Sequence, residues 1–133
     1  MRKIFLAGLL MLILIIVGCT TGSTSKSTGQ GNSLEPSGKL ENGVRIIIAK
    51  AFQFDFDPNP IIVNQGERVK IVMTSADVTH GFALPEYNIN VPLPAGRPTT
   101  IEFVADKPGT FPFLCSVYCG SGHGSMKGTL VVR

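Results

Sequence analysis

Residues 98–132 read PTTIEFVADKPGTFPFLCSVYCGSGHGSMKGTLVV, and the fold of the chain turns on how this stretch divides. Ile101 and Phe103 fall on one face opposite Glu102, the two-residue alternation of a half-buried strand. Lys107-Pro108-Gly109 then supplies a turn, because Pro presets φ and Gly tolerates the backbone a reversal needs. A second strand ends near Cys115, and a third, closing in Thr129-Leu130-Val131-Val132, begins near Lys127. The glycine-rich residues between them form one loop.

Working toward the N-terminus, the pattern repeats. Val69, Ile71 and Met73 alternate against Arg68 and Lys70; Phe52, Phe54 and Phe56 alternate with Gln53 and Asp55; Arg45-Ile46-Ile47-Ile48 is rich in β-branched residues. Asp57-Pro58-Asn59-Pro60, Asn64-Gln65-Gly66 and Pro94-Ala95-Gly96 separate such runs. No stretch sustains helical apolar spacing, and eight of the nine prolines fall from Pro58 to Pro112, which disfavours long helices. Short strands at this spacing predict an all-β sandwich. Phe52, Phe54, Phe56, Phe103 and Met73 are core candidates, and Tyr87 and Tyr118 are expected to pack.

The 133 residues suffice for one domain, since two would each be too small to hold a core. Met1-Arg2-Lys3 followed by the apolar run Ile4–Val17 has the size and flanks of a secretory signal, too short to span a bilayer comfortably. Ile16-Val17-Gly18-Cys19 resembles a bacterial lipobox, with Cys19 the lipidated first residue of the mature chain. An uncleaved anchor is the alternative, and both readings place the rest outside the cytoplasm. Residues 20–43, rich in Gly, Ser and Thr, read as a flexible tether. The expected organisation is therefore a signal at 1–18, a lipidated Cys19 with linker through 43, and a folded domain over 44–133. The formal charge of +3 falls to +1 once residues 1–18, with Arg2 and Lys3, are set aside. No basic cluster remains to bind nucleic acid.

The chain has only three Cys and two His. Apart from Cys19, all of them gather in two places. Cys115, Cys119, His123 and Met126 share the loop, and His80 stands in Asp77-Val78-Thr79-His80, at the start of another expected strand. Soft sulfur ligands combined with imidazole select copper over calcium or magnesium. Two thiolates four residues apart suit a pair of bridged metal ions, each capped by a His and a weaker ligand, an electron-transfer composition. The same residues also admit a disulfide, a zinc site or a mononuclear copper site with one idle Cys. His residues 43 positions apart are not at zinc-finger spacing, and a disulfide leaves His123 and Met126 unexplained. Cys115 with His123 could imitate a nucleophilic pair, but no third orienting group stands at a telling position. Enzymatic activity within the chain alone is not expected.

The order Cys, three residues, Cys, three residues, His, two residues, Met, with His80 about 35 residues upstream, resembles the binuclear CuA domain. That domain occurs in cytochrome c oxidase subunit II and nitrous-oxide reductase. The likeness covers about residues 60–133 and includes Phe103 to Gly109 and Gly128. The resemblance implies a cupredoxin-like Greek-key β-sandwich holding two copper ions. It further implies that Cys115 and Cys119 bridge them and that His80 and His123 bind one each. Met126 and the Val117 main-chain carbonyl are then weak axial ligands. Two transmembrane helices usual in the subunit are missing ahead of this domain, and the chain has no Trp for the usual electron entry point; Phe82 is the nearest substitute in sequence. A lipid-tethered carrier of single electrons fits, taking them from a cytochrome c or another cupredoxin and passing them to a terminal oxidase or reductase. The alternative is a copper chaperone or store serving assembly of such an enzyme.

Overall fold

A computed structural model of the chain describes residues 35–133. The signal segment, Cys19 and the first part of the tether lie outside the described residues. Strand β1 is Lys39–Glu41, β2 Val44–Phe52, β3 Asp55–Asp57, β4 Ile61–Val63 and β5 Arg68–Ser75. They are followed by β6 His80–Leu84, β7 Ile89–Leu93, β8 Pro98–Val104, β9 Gly109–Leu114 and β10 Lys127–Val132. One sheet has the order β1-β2-β5-β8 with β3 on the end of β2; the other is β4-β10-β9-β6-β7. The architecture is the cupredoxin-like β-sandwich that the resemblance implied. Among the described residues no helix is long and apolar enough to cross a membrane.

The inward faces follow the alternation. Ile47, Ala49 and Ala51 of β2, Val69, Ile71 and Met73 of β5, and Ile101 of β8 are buried from one side. Ile61, Val63, Phe82, Leu84, Leu93, Phe113, Leu130 and Val132 come from the other. Phe56, Phe82 and Phe113 form the aromatic centre, with ring centroids 5.0 to 6.2 Å apart. Burying each such ring contributes about 1.5–3 kcal/mol, so this trio is a main anchor between the sheets. Tyr87 packs beside Phe103 at 4.7 Å and Phe111 at 5.9 Å. Near the start of β2 and β5, Arg45 and Glu67 form a two-bonded ion pair at 2.6 and 3.0 Å. Asn64 donates its backbone N–H and side-chain amide to the same carboxylate.

Two expectations need correction. The ordered domain begins before residue 44: β1 pairs with β2 through Glu41↔Val44 and Lys39↔Ile46. The turn is Asn42-Gly43, both at positive φ (49° and 78°), the backbone of a two-residue hairpin. Ser37 is held as well, its N–H donating to the Ile62 carbonyl at 2.7 Å. The supposed alternation through Phe52, Phe54 and Phe56 is also broken. The chain reverses at Gln53-Phe54, β3 folds back on β2 (Phe52↔Asp55), and Phe52 is left exposed while only Phe56 enters the core.

Candidate metal centre

The candidate ligands converge at one end of the sandwich because three strands end or begin there. His80 opens β6, Cys115 follows the last residue of β9, and Met126 precedes the first of β10. The Cys115 N–H donates to the Met126 carbonyl at 3.0 Å, closing the stem of the loop. Within it, a short 3-10 turn at His123–Ser125 is fixed by N–H bonds from His123 to Gly120 and from Met126 to His123, both 3.1 Å.

The donor atoms form a row sharply bent at Cys115. His80 Nδ1 lies 3.7 Å from Cys115 Sγ, which lies 3.7 Å from Cys119 Sγ, which lies 3.8 Å from His123 Nδ1. Met126 Sδ is 3.7 Å from Cys119 Sγ, and the Val117 carbonyl oxygen is 3.1 Å from Cys115 Sγ. All six candidate metal-site residues read from the sequence are thus brought together, while Cys19 lies outside the described residues. His80, Cys115 and Cys119 alone place their ligand atoms within 4.8 Å of one another, enough to hold a metal ion. His80, Cys115, Cys119 and Met126 are buried; His123 and Val117 are half-buried, so the row is sealed at one end and open at the other.

A disulfide is not what this geometry describes, because the sulfurs are far beyond the roughly 2.05 Å of an S–S bond and both cysteines are free. Burial pushes the Cys119 thiol up to about 11, and its neighbour Cys115 adds to the shift. A cation is the natural partner for such a pair, since it displaces the thiol protons and offsets the cost of burying thiolates. The mixed sulfur and imidazole set fits copper.

Other residues support the row. His80 Nε2 lies 2.8 Å from Asp77 Oδ1, so the ring donates there and Nδ1 keeps its lone pair for the site. Burial works against the Asp77 charge, but the Gln53 N–H, His80 and the Val78 N–H together hold its carboxyl below the usual range. Gly81 donates to Cys115 Sγ at 3.5 Å, and a Cβ there would stand 2.8 Å from the Val117 nitrogen, so only glycine allows β6 this close to the loop. Asp77 carried a sequence signal through its spacing from His80. Gln53, hidden in an apparent strand, carried none.

Two aromatic expectations change. Phe82 is buried in the aromatic centre, 1% exposed, and does not reach the surface. Tyr118, expected to pack, is 77% exposed with its ring centroid 5.7 Å from that of His123. It lies between two cysteines whose side chains turn inward, which leaves its own side chain facing water.

Residues 39–132 match the family described as the periplasmic domain of cytochrome c oxidase subunit II. Cytochrome c oxidase subunit 2 of Thermus thermophilus is 43% identical over 83 residues, 62% of this chain and 62% of that subunit. A nitrous-oxide reductase of Cupriavidus necator is 32% identical over 102 residues, 73% of this chain but 16% of that enzyme. The chain therefore spans only part of each of these relatives. The crystal structure of the periplasmic domain of subunit II of cytochrome oxidase from Bradyrhizobium japonicum superposes with a TM-score of 0.64. It does so at 24% identity over 71% of this chain and 88% of that one, a likeness of fold.

Proposed function

The chain belongs to the family of the periplasmic domain of cytochrome c oxidase subunit II, and from that premise we propose that it is a membrane-tethered carrier of single electrons. Copper is its cofactor, as in the CuA domains of this family. In our reading Cys115 and Cys119 bridge two copper ions, His80 and His123 bind one each, and Met126 and the Val117 carbonyl are weak axial ligands. The observation that carries this reading is the row of four donors at 3.7 to 3.8 Å, with the two sulfurs in its middle. When bound, the copper pair supplies a one-electron couple.

The chain's own residues do the rest. The β9–β10 stem fixes the spacing of Cys115 and Met126, Asp77 orients His80, and the aromatic centre beneath keeps water from the buried end. A frame that holds the ligands in one arrangement serves both redox states. The relatives are parts of enzymes; this chain acts as a carrier beside one. Its donor is a cytochrome c or another cupredoxin, its acceptor a terminal oxidase or reductase, and its tether a lipid on Cys19.

The test is to load the protein with copper and measure stoichiometry, visible absorption and electron paramagnetic resonance. Two copper ions per chain sharing one unpaired electron is the expected result. A single ion, or Cu(I) alone that passes rapidly to an acceptor, overturns the carrier and favours copper delivery. Release of the protein from membranes in Cys19→Ser checks the tether; retention there refutes it.

A further inference from the structure

The β2–β3 turn supplies none of the proposed ligands, yet it touches both segments that do. At its tip Gln53 makes two hydrogen bonds with separate destinations. Its backbone N–H donates to Asp77 Oδ2 at 2.7 Å, and the other oxygen of that carboxylate orients His80. Its side-chain Nε2 donates to the Cys119 carbonyl at 2.6 Å. Next to it, the Phe54 ring lies directly under the loop: a Cβ on Gly122 would stand 2.4 Å from the ring's Cδ2. The glycines after Cys119 therefore let the loop backbone rest on the turn, independently of the hydrogen bonds.

We infer that Gln53 is a positioning residue, which sets the separation between the His80 segment and the Cys119 half of the loop. The inference rests on the reading that these residues bind copper. Its physical basis is leverage. The Cys119 carbonyl belongs to the residue whose Sγ stands in the middle of the row, so rotation of that peptide carries the sulfur with it. Productive metal geometry tolerates only about 0.5 Å of such movement. The amide also directs the positive end of its dipole at the peptide beside a thiolate, which favours the reduced, more negative site.

Two variants test this, both leaving the Gln53 backbone N–H on Asp77. Gln53→Glu keeps the side-chain length and replaces the donor by an acceptor; Gln53→Ala removes it. In the metal-free protein, hydrogen exchange at the His123 and Met126 amides should accelerate about tenfold in both, while β5 amides keep their wild-type rates. In the copper-loaded protein, a chelator should strip copper several-fold faster and the reduction potential should fall, further in Gln53→Glu. Wild-type loop exchange and copper release in both variants overturn the inference. So does acceleration spread equally to β5, which marks a general stabilising role. Failure of the wild type to bind two copper ions defeats the functional reading instead, and the metal-free exchange data then stand alone.

Discussion

Strands β2 and β5 run parallel from Val44↔Arg68 to Ala51↔Ser75, and their two ends are finished in opposite ways. Near the start, Arg45 and Glu67 satisfy each other, and Asn64 fills the carboxylate's remaining capacity. Roughly 20 Å along the strands, Gln53 and Asp77 hold the Cys119 carbonyl and the His80 ring beside two free thiols, whose contacts with the imidazoles are long, at 3.7 and 3.8 Å. A closed polar network stabilises the fold, whereas converging donors await a cation. Stability and chemistry are thus assigned to different ends of the same strands, and each end should be breakable without the other.

The largest expected effect is at the metal end. Cys119→Ser removes one of the two sulfurs proposed to bridge the copper ions and should abolish the delocalised two-copper signal in electron paramagnetic resonance, with little change in unfolding of the metal-free protein. An unchanged spectrum would falsify thiolate bridging. At the other end, Arg45→Ala leaves the mostly buried Glu67 carboxylate without its cation. That should cost about 2–4 kcal/mol in denaturant unfolding while the copper spectrum stays as in the wild type. A spectral change in this variant would show that the ends are coupled.

Asp77→Asn comes next. Losing the charged acceptor for His80 should lower copper affinity by about 10- to 100-fold, measured by competition with a chelator. The Glu67 carboxyl gives a pH counterpart at the other end. Its hydrogen bonds to Arg45, helped by Asn64, hold it at about 2 against burial. Because this lies below its unfolded value near 4.5, the stabilisation is complete above that pH and declines as pH falls toward 2. Denaturant titrations across that window should show the loss, and Glu67→Gln should flatten it. The smallest effect is that of Met126→Leu, which should keep both copper ions and shift the potential, since an axial thioether tunes a site more than it holds it.

The metal end is the more legible in sequence. The spacing in residues 115–126 is local, so the candidate loop ligands are legible from their order along the chain through its resemblance to the CuA pattern, and His80 follows as the only other histidine. The turn beneath is not legible. Phe52, Phe54 and Phe56 satisfy strand alternation equally well whether or not the chain reverses between them, and only pairing of Phe52 with Asp55 decides it. The start of the domain is concealed in another way. Lys39 to Glu41 are exposed and β1 is held by its backbone, so composition marks it as linker, although Asn42-Gly43 bears a hairpin signal.

The bond from the Cys115 N–H to the Met126 carbonyl has a kinetic and entropic meaning beyond geometry. Bringing together the ends of a free loop of this length costs about 2 kcal/mol of chain entropy. Here that cost is met when β9 and β10 pair, during folding. An arriving ion therefore orders only side chains, and the chain keeps its affinity for the metal undiminished by having to gather its own backbone.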